Sequence, residues 1–177
     1  MNQISFEFSV PAIVDILSFS TAFMLGLLFI TSKSKNKKAN LFLGFFLWSL
    51  SIEVFGAFVE VLDKGLSIPD TGLFTIPLLF LYINQTLNRK FNWIYLLFFI
   101  PGVFANFNLS IGPLEYVFNI SLLVYILKIV KTHQQKVGDF YSDIENKTLS
   151  WIQAIVYIFL FFQIFWIIED LVGLQNE

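Results

Sequence analysis

The sequence predicts an all-α fold: a polytopic transmembrane bundle of six spans with both termini outside. Three observations lead there. Hydrophobic residues make up 56% of the 177 and charged residues only 14%, with 23 phenylalanines; a soluble domain carries roughly a quarter charged residues. The apolar residues gather into six continuous stretches, each close to the roughly 20 residues that a helix needs to cross about 30 Å of hydrocarbon. The basic residues fall on alternate connections between those stretches. Mean hydropathy is +0.73, which excludes a water-soluble globule or a solvated tail.

The first span runs over about 10–31 and meets the basic string SKSKNKK at 32–38. The nine residues before it hold no Lys or Arg, and no small-residue cleavage pattern follows it, so it reads as a retained span and not a signal peptide. The second covers about 41–62 and closes at DKG, and the third runs over about 69–87, ahead of Asn88, Arg89 and Lys90. The fourth, about 91–107, carries Pro101-Gly102 and is expected to kink there. The fifth covers about 113–130. An inner polar loop over 131–148 separates it from the sixth, about 149–171. Barrel strands would alternate apolar and polar over about ten residues; these runs are continuous and twice as long. Only a helix satisfies its own backbone in lipid.

Charge sets the orientation. Lys33, Lys35, Lys37 and Lys38 follow span one, Arg89 and Lys90 follow span three, and Lys131, Lys136 and Lys147 follow span five, with Lys128 just before. The opposite connections carry only Lys64. Ten of eleven basic residues therefore lie on one side, which the positive-inside rule makes the cytoplasmic side of the membrane. Adding or removing one span would scramble the alternation. Most of the acids map to the other side.

Span two carries a polar stripe, Ser49, Glu53, Gly56, Glu60 and Asp63, at helical spacing on one face. Glu53 lies roughly 18 Å along its span, near the bilayer middle, at 1.5 Å per residue. A carboxylate there must face the bundle, find a donor or stay protonated. With Asp15 from span one and Gln163, Trp166 and Asp170 on one face of span six, Glu53, Gly56 and Glu60 are read as an outward-facing acidic ligand pocket. The competing reading is a buried glutamate bonded to Ser, Asn or Tyr, with acids that merely follow topology. Trp151 and Trp93 fit interfacial anchors.

No catalytic chemistry is legible. Cysteine is absent, His133 is the one histidine, and there is no HExxH, GxSxG, GxxxxGK[ST] or GxGxxG pattern. Neither an enzyme, a cofactor nor a metal is expected. The polar connections are too short for a helix-turn-helix, so direct nucleic-acid binding is not expected either. The partners expected are the lipid bilayer, a small ligand, and a second copy of the chain or a separate cytoplasmic effector.

The order of elements carries a resemblance. The segments LFLGFFLWSLSIEVFGAF (41–58), IPLLFLYI (76–83), WIYLLFFIPGVF (93–104) and YSDIENKTLSW (141–151) together resemble the membrane-embedded N-terminal region of Bacteroidetes AraC-type transcriptional regulators. Similar seven-helix sensor regions precede some histidine kinases. The resemblance implies a sensory function and an outside N-terminus. It also implies a seventh span that delivers a cytoplasmic helix-turn-helix domain. The chain is expected to stop after six spans, before that helix and that domain, as a truncated product, a fragment or a stand-alone relative with a partner. The rival class is a small multi-span transporter or channel subunit, with Pro77, Pro101 and Glu53 along its path.

Overall fold

The computed structural model describes residues 10–62, 68–107, 112–137 and 143–173. Every regular element among them is helical: α1 Val10–Thr31, α2 Lys37–Leu62, α3 Gly72–Thr86, a 3₁₀ segment Trp93–Phe99 running into α4 Ile100–Asn106, α5 Leu114–Val137 and α6 Asp143–Gly173. Three helical stretches are long and apolar enough to cross a membrane: Val10–Thr31, Lys37–Gly56 and Ser150–Gly173. Two shorter apolar stretches, Gly72–Thr86 and Trp93–Asn106, accompany them.

The helix α1 is apolar all round and buries only Gly26. Its Leu17, Met24 and Leu28 are more than half exposed, a surface that suits lipid rather than water. It turns back on α2 through a short connection stapled by Asn40 Nδ2 donating to Ser32 Oγ at 2.7 Å. The pair runs antiparallel, with Phe19 against Phe55 and Phe23 stacked on Trp48. Trp48 Nε1 also donates to the Phe23 carbonyl at 3.2 Å. Where the helices come closest, two glycines face each other. A Cβ on Gly26 would collide with Trp48 Cδ1 and lie 2.9 Å from the Gly44 carbonyl; one on Gly44 would collide with Ile30 and lie 2.8 Å from the Gly26 carbonyl. Small residues allow this backbone approach, which lipid-embedded helices use in place of a hydrophobic driving force. Gly26→Ala is therefore expected to cost about 1–3 kcal/mol by overpacking, read as a lower unfolding midpoint in detergent. Gly173→Ala, with open space around it, should leave the midpoint unchanged.

The helix α3 is the axis of the bundle. It touches α2, α5, the 3₁₀ segment and α4, and Leu73, Ile76, Leu79, Phe80, Leu81 and Ile83 are all nearly inaccessible. The core continues into Leu123, Ile126 and Val130 of α5 and Ile152 and Val156 of α6. A helix enclosed by others need not match the full lipid thickness, which accounts for its 15 residues. It passes through Pro77 unbroken. Just past its C-cap, Leu87, Asn88 takes φ 51°, a left-handed position that asparagine tolerates, with Arg89 N–H donating to the Asn84 carbonyl at 3.0 Å.

The boundaries differ from the hydropathy reading in instructive ways. The break expected at Pro101-Gly102 falls at the junction of Phe99 and Ile100. Proline at 101 has no N–H to offer the Leu97 carbonyl, and Ile100 N–H supplies that bond in 3₁₀ fashion. Gly102 then lets α4 press against Phe74, whose ring would lie 2.8–3.0 Å from a Cβ there. Much of the polar stretch expected as an inner loop is helix: α5 continues to Val137 and α6 begins at Asp143. Lysine and glutamine are good helix formers, so the helix outlasts the apolar run.

Candidate functional site

The two ends of the bundle differ in charge. At one end, Lys35, Lys37 and Lys38 border a cleft with Gln85 and Asn88, and Arg89 borders a second with Lys128 and His133. Lys33, Lys90 and Lys131 are exposed, and the Lys136 side chain lies outside the described residues. Gln153 Nε2 donates to Gln134 Oε1 at 2.7 Å, tying α6 to α5 there. Asn84 of α3 is 1% exposed with both amide atoms unpaired.

At the opposite end, a cavity of about 240 Å³ opens between α2, α3, α5 and α6. From α2 come Leu50 and Glu53; from the start of α3, Asp70, Gly72, Thr75 and Ile76; from α5, Glu115, Tyr116 and Asn119; from α6, Phe159, Gln163 and Trp166. Hydroxyl bonds fix the wall between α2 and α3. Ser49 Oγ donates to the Thr71 carbonyl at 3.0 Å and lies 2.7 Å from Thr75 Oγ1, while Thr71 Oγ1 returns a bond to the Ser49 carbonyl at 2.8 Å. Thr75 Oγ1 lies 3.5 Å from Glu53 Oε2, a long contact that points the carboxyl into the cavity. Tyr116 donates its hydroxyl proton to Asp170 Oδ2 and joins α5 to α6 at the rim.

Three carboxyls converge on the first residue of α3. A Cβ built on Gly72 would lie 3.3 Å from Asp70 Oδ1 and 3.8 Å from both Glu53 Oε1 and Glu115 Oε1. Gly72 N–H donates to Asp70 Oδ1 at 2.9 Å. The N-terminus of α3 brings about half a positive charge here, against as many as three negative ones. Among the described residues, no group of three His, Cys, Asp or Glu side chains is arranged to hold a metal ion.

Of the pocket residues expected from sequence, Glu53, Gln163 and Trp166 line this cavity, and Asp170 reaches it through Tyr116. Asp15 does not line it; it lies on α1, which packs on α2 at the periphery. Gly56 faces Ile68, whose Cβ would be 3.9 Å from one added to the glycine, and does not line the cavity. The Glu60 side chain lies outside the described residues. Sequence reasoning left out Asp70, Thr75, Glu115, Tyr116 and Asn119. A usable signal existed for two of them: Glu115 and Asn119 stand one turn apart, on one face of the mostly apolar first half of α5.

Comparison with protein-family models, curated proteins and solved structures finds no match to this chain.

Proposed function

We propose that this chain is the membrane-embedded sensory region of a bacterial signalling receptor or membrane-anchored transcription regulator. It crosses the inner membrane six times with both termini outside, and the acidic cavity is its ligand site. One observation carries the reading: a single small cavity takes its walls from four different helices. A ligand held there touches α2, α3, α5 and α6 together, so its binding energy depends on how they pack. That dependence is what a two-state receptor requires, because a ligand shifts an equilibrium only by its differential affinity for the two arrangements. The resemblance to the membrane regions of AraC-type regulators points the same way. The charge segregation supports the orientation, with the basic end in the cytoplasm and the cavity toward the exterior.

The transporter reading is less well supported. Between the cavity and the basic end lies an apolar layer of Leu79, Phe80, Leu123 and Ile126, each at most 1% exposed.

Reconstituted into vesicles, the full chain should be stabilised by a small polar molecule that it does not carry across. A ligand at a hundred times its Kd adds about 2.7 kcal/mol to the folded state, visible as a raised unfolding midpoint. Accumulation of that molecule inside the vesicles would instead establish transport.

A further inference from the structure

The chemistry of the cavity defines what it would hold. Glu53, Asp70 and Glu115 face it, while no Lys, Arg or His appears among its lining residues. The α3 N-terminus offsets only about half a charge. Among the described residues the site therefore lacks a counter-ion. A second, independent feature sits deeper. Asn119 is 3% exposed and Gln163 5%, and Asn119 Oδ1 and Gln163 Oε1 have no hydrogen-bond partner. Buried side-chain acceptors are nearly always paired; both residues, on helices α5 and α6, line the cavity, with these oxygens turned into the packing.

We propose that the acidic cavity binds a small protonated amine, its charge balanced by Glu53, Asp70 and Glu115 and its N–H groups donating to the side-chain amide oxygens of Asn119 and Gln163, which turn toward the ligand on binding. The inference rests on the reading of this cavity as the ligand site and names its ligand class. N–H donors separate a primary ammonium from a quaternary one, which offers charge alone. The carboxyls are not grouped to share a metal ion, which favours a cation with some length. Tyr116 and Trp166 add aromatic faces that attract cations, and the Tyr116–Asp170 bond holds the first in place. A volume of about 240 Å³ falls below the roughly 300–1,000 Å³ of drug-sized sites, so the amine carries only a few carbons.

The test uses the full chain in detergent at fixed ionic strength, with n-butylamine and 1,4-diaminobutane as probes. Tetramethylammonium, butyrate and calcium are the comparisons, read by calorimetry and unfolding midpoint. Saturable amine binding is expected, at least tenfold tighter than tetramethylammonium, with no butyrate binding. Gln163→Leu should weaken amine binding about tenfold and at the same time raise the midpoint of the free chain, because it removes an unpaired buried acceptor. A purely structural glutamine would not give both effects. Glu53→Gln should weaken binding at least tenfold; where it fails to fold, Glu115→Gln takes its place. Equal binding of tetramethylammonium, preferential binding of calcium, or unchanged amine affinity in Gln163→Leu overturns the proposal. So does a neutral or anionic molecule that alone binds here and is blocked by Gln163→Leu, although the sensory reading would then stand. Amine uptake into vesicles would overturn the sensory reading and support the ligand class.

Discussion

Phe80→Ala should cost about 3 kcal/mol of stability, more than any surface truncation of the same kind. Phe80 sits on α3 at 1% exposure. Its ring meets Tyr95 edge-on at 4.9 Å, Phe98 edge-on at 5.4 Å and Tyr125 at 5.9 Å. One side chain thus joins α3 to the 3₁₀ segment and to α5. Truncating a buried Phe in a soluble protein costs about 3–5 kcal/mol, from lost transfer energy and from the cavity left behind. In lipid the transfer part shrinks, because acyl chains are as apolar as the core. What remains is lost dispersion against three rings and a void, hence the low end of the range. Phe161→Ala removes the same atoms from α6 at 64% exposure and should change the midpoint little. Unfolding both variants in the same detergent separates the two cases. Equal losses would mean that α3 is not the packed axis of the bundle.

The contrast between Phe80 and Phe161 also marks what the sequence could reveal. Both lie in apolar runs, and hydropathy treats them alike. The periodicity that distinguishes a buried face from an exposed one in a soluble helix vanishes when lipid wets the outside. The helical class and the long apolar helices α1, α2 and α6 were legible for that reason: continuous apolarity of sufficient length admits little else. Which of them lies at the centre was not. The short α3, of 15 residues, is the axis, and the 22-residue α1 is peripheral.

The cavity was partly legible by the same logic. Polar residues inside apolar runs stand out, and so Glu53, Gln163, Trp166 and Asp170 could be placed on helix faces. Asp15 stands out equally, yet α1 does not reach the cavity. Spacing along one helix fixes a face but not the neighbour that it meets. Asp70 and Thr75 were hidden because they belong to the start of α3. There the cavity is made by a turn and by hydroxyl bonds to α2, not by a stripe. Gly72 has no polar side chain at all, and its place amid three carboxyls follows only from the fold.

Replacing Lys33, Lys35, Lys37 and Lys38 together with glutamine should leave a substantial fraction of molecules with the α1–α2 turn on the wrong side. Each juxtamembrane cation is worth about 1 kcal/mol at an anionic leaflet, so four are worth about 4 kcal/mol, close to a thousandfold bias. The structure gives the change a second consequence. The turn does not stand alone: Lys35, Lys37 and Lys38 border the same cleft as Gln85 and Asn88, and Arg89 borders another with Lys128 and His133. Arg89, Lys90 and Lys131 still favour the cytoplasm after the replacement, while α2 remains bonded to α3 through Ser49 and Thr71. The molecule is then pulled between a turn with no preference and a core that retains one, which produces mixed orientation and not clean inversion. The chain lacks cysteine, so a single Ser34→Cys reports the turn, and Pro113→Cys reports the opposite end. An impermeant maleimide on intact cells should label Cys at 113 and spare Cys at 34 in the parent sequence, and should label part of the latter once the lysines are gone. Labelling at 34 in the parent would place the basic end outside and would move the acidic cavity to the cytoplasmic half, where a receptor for external amines has no use for it.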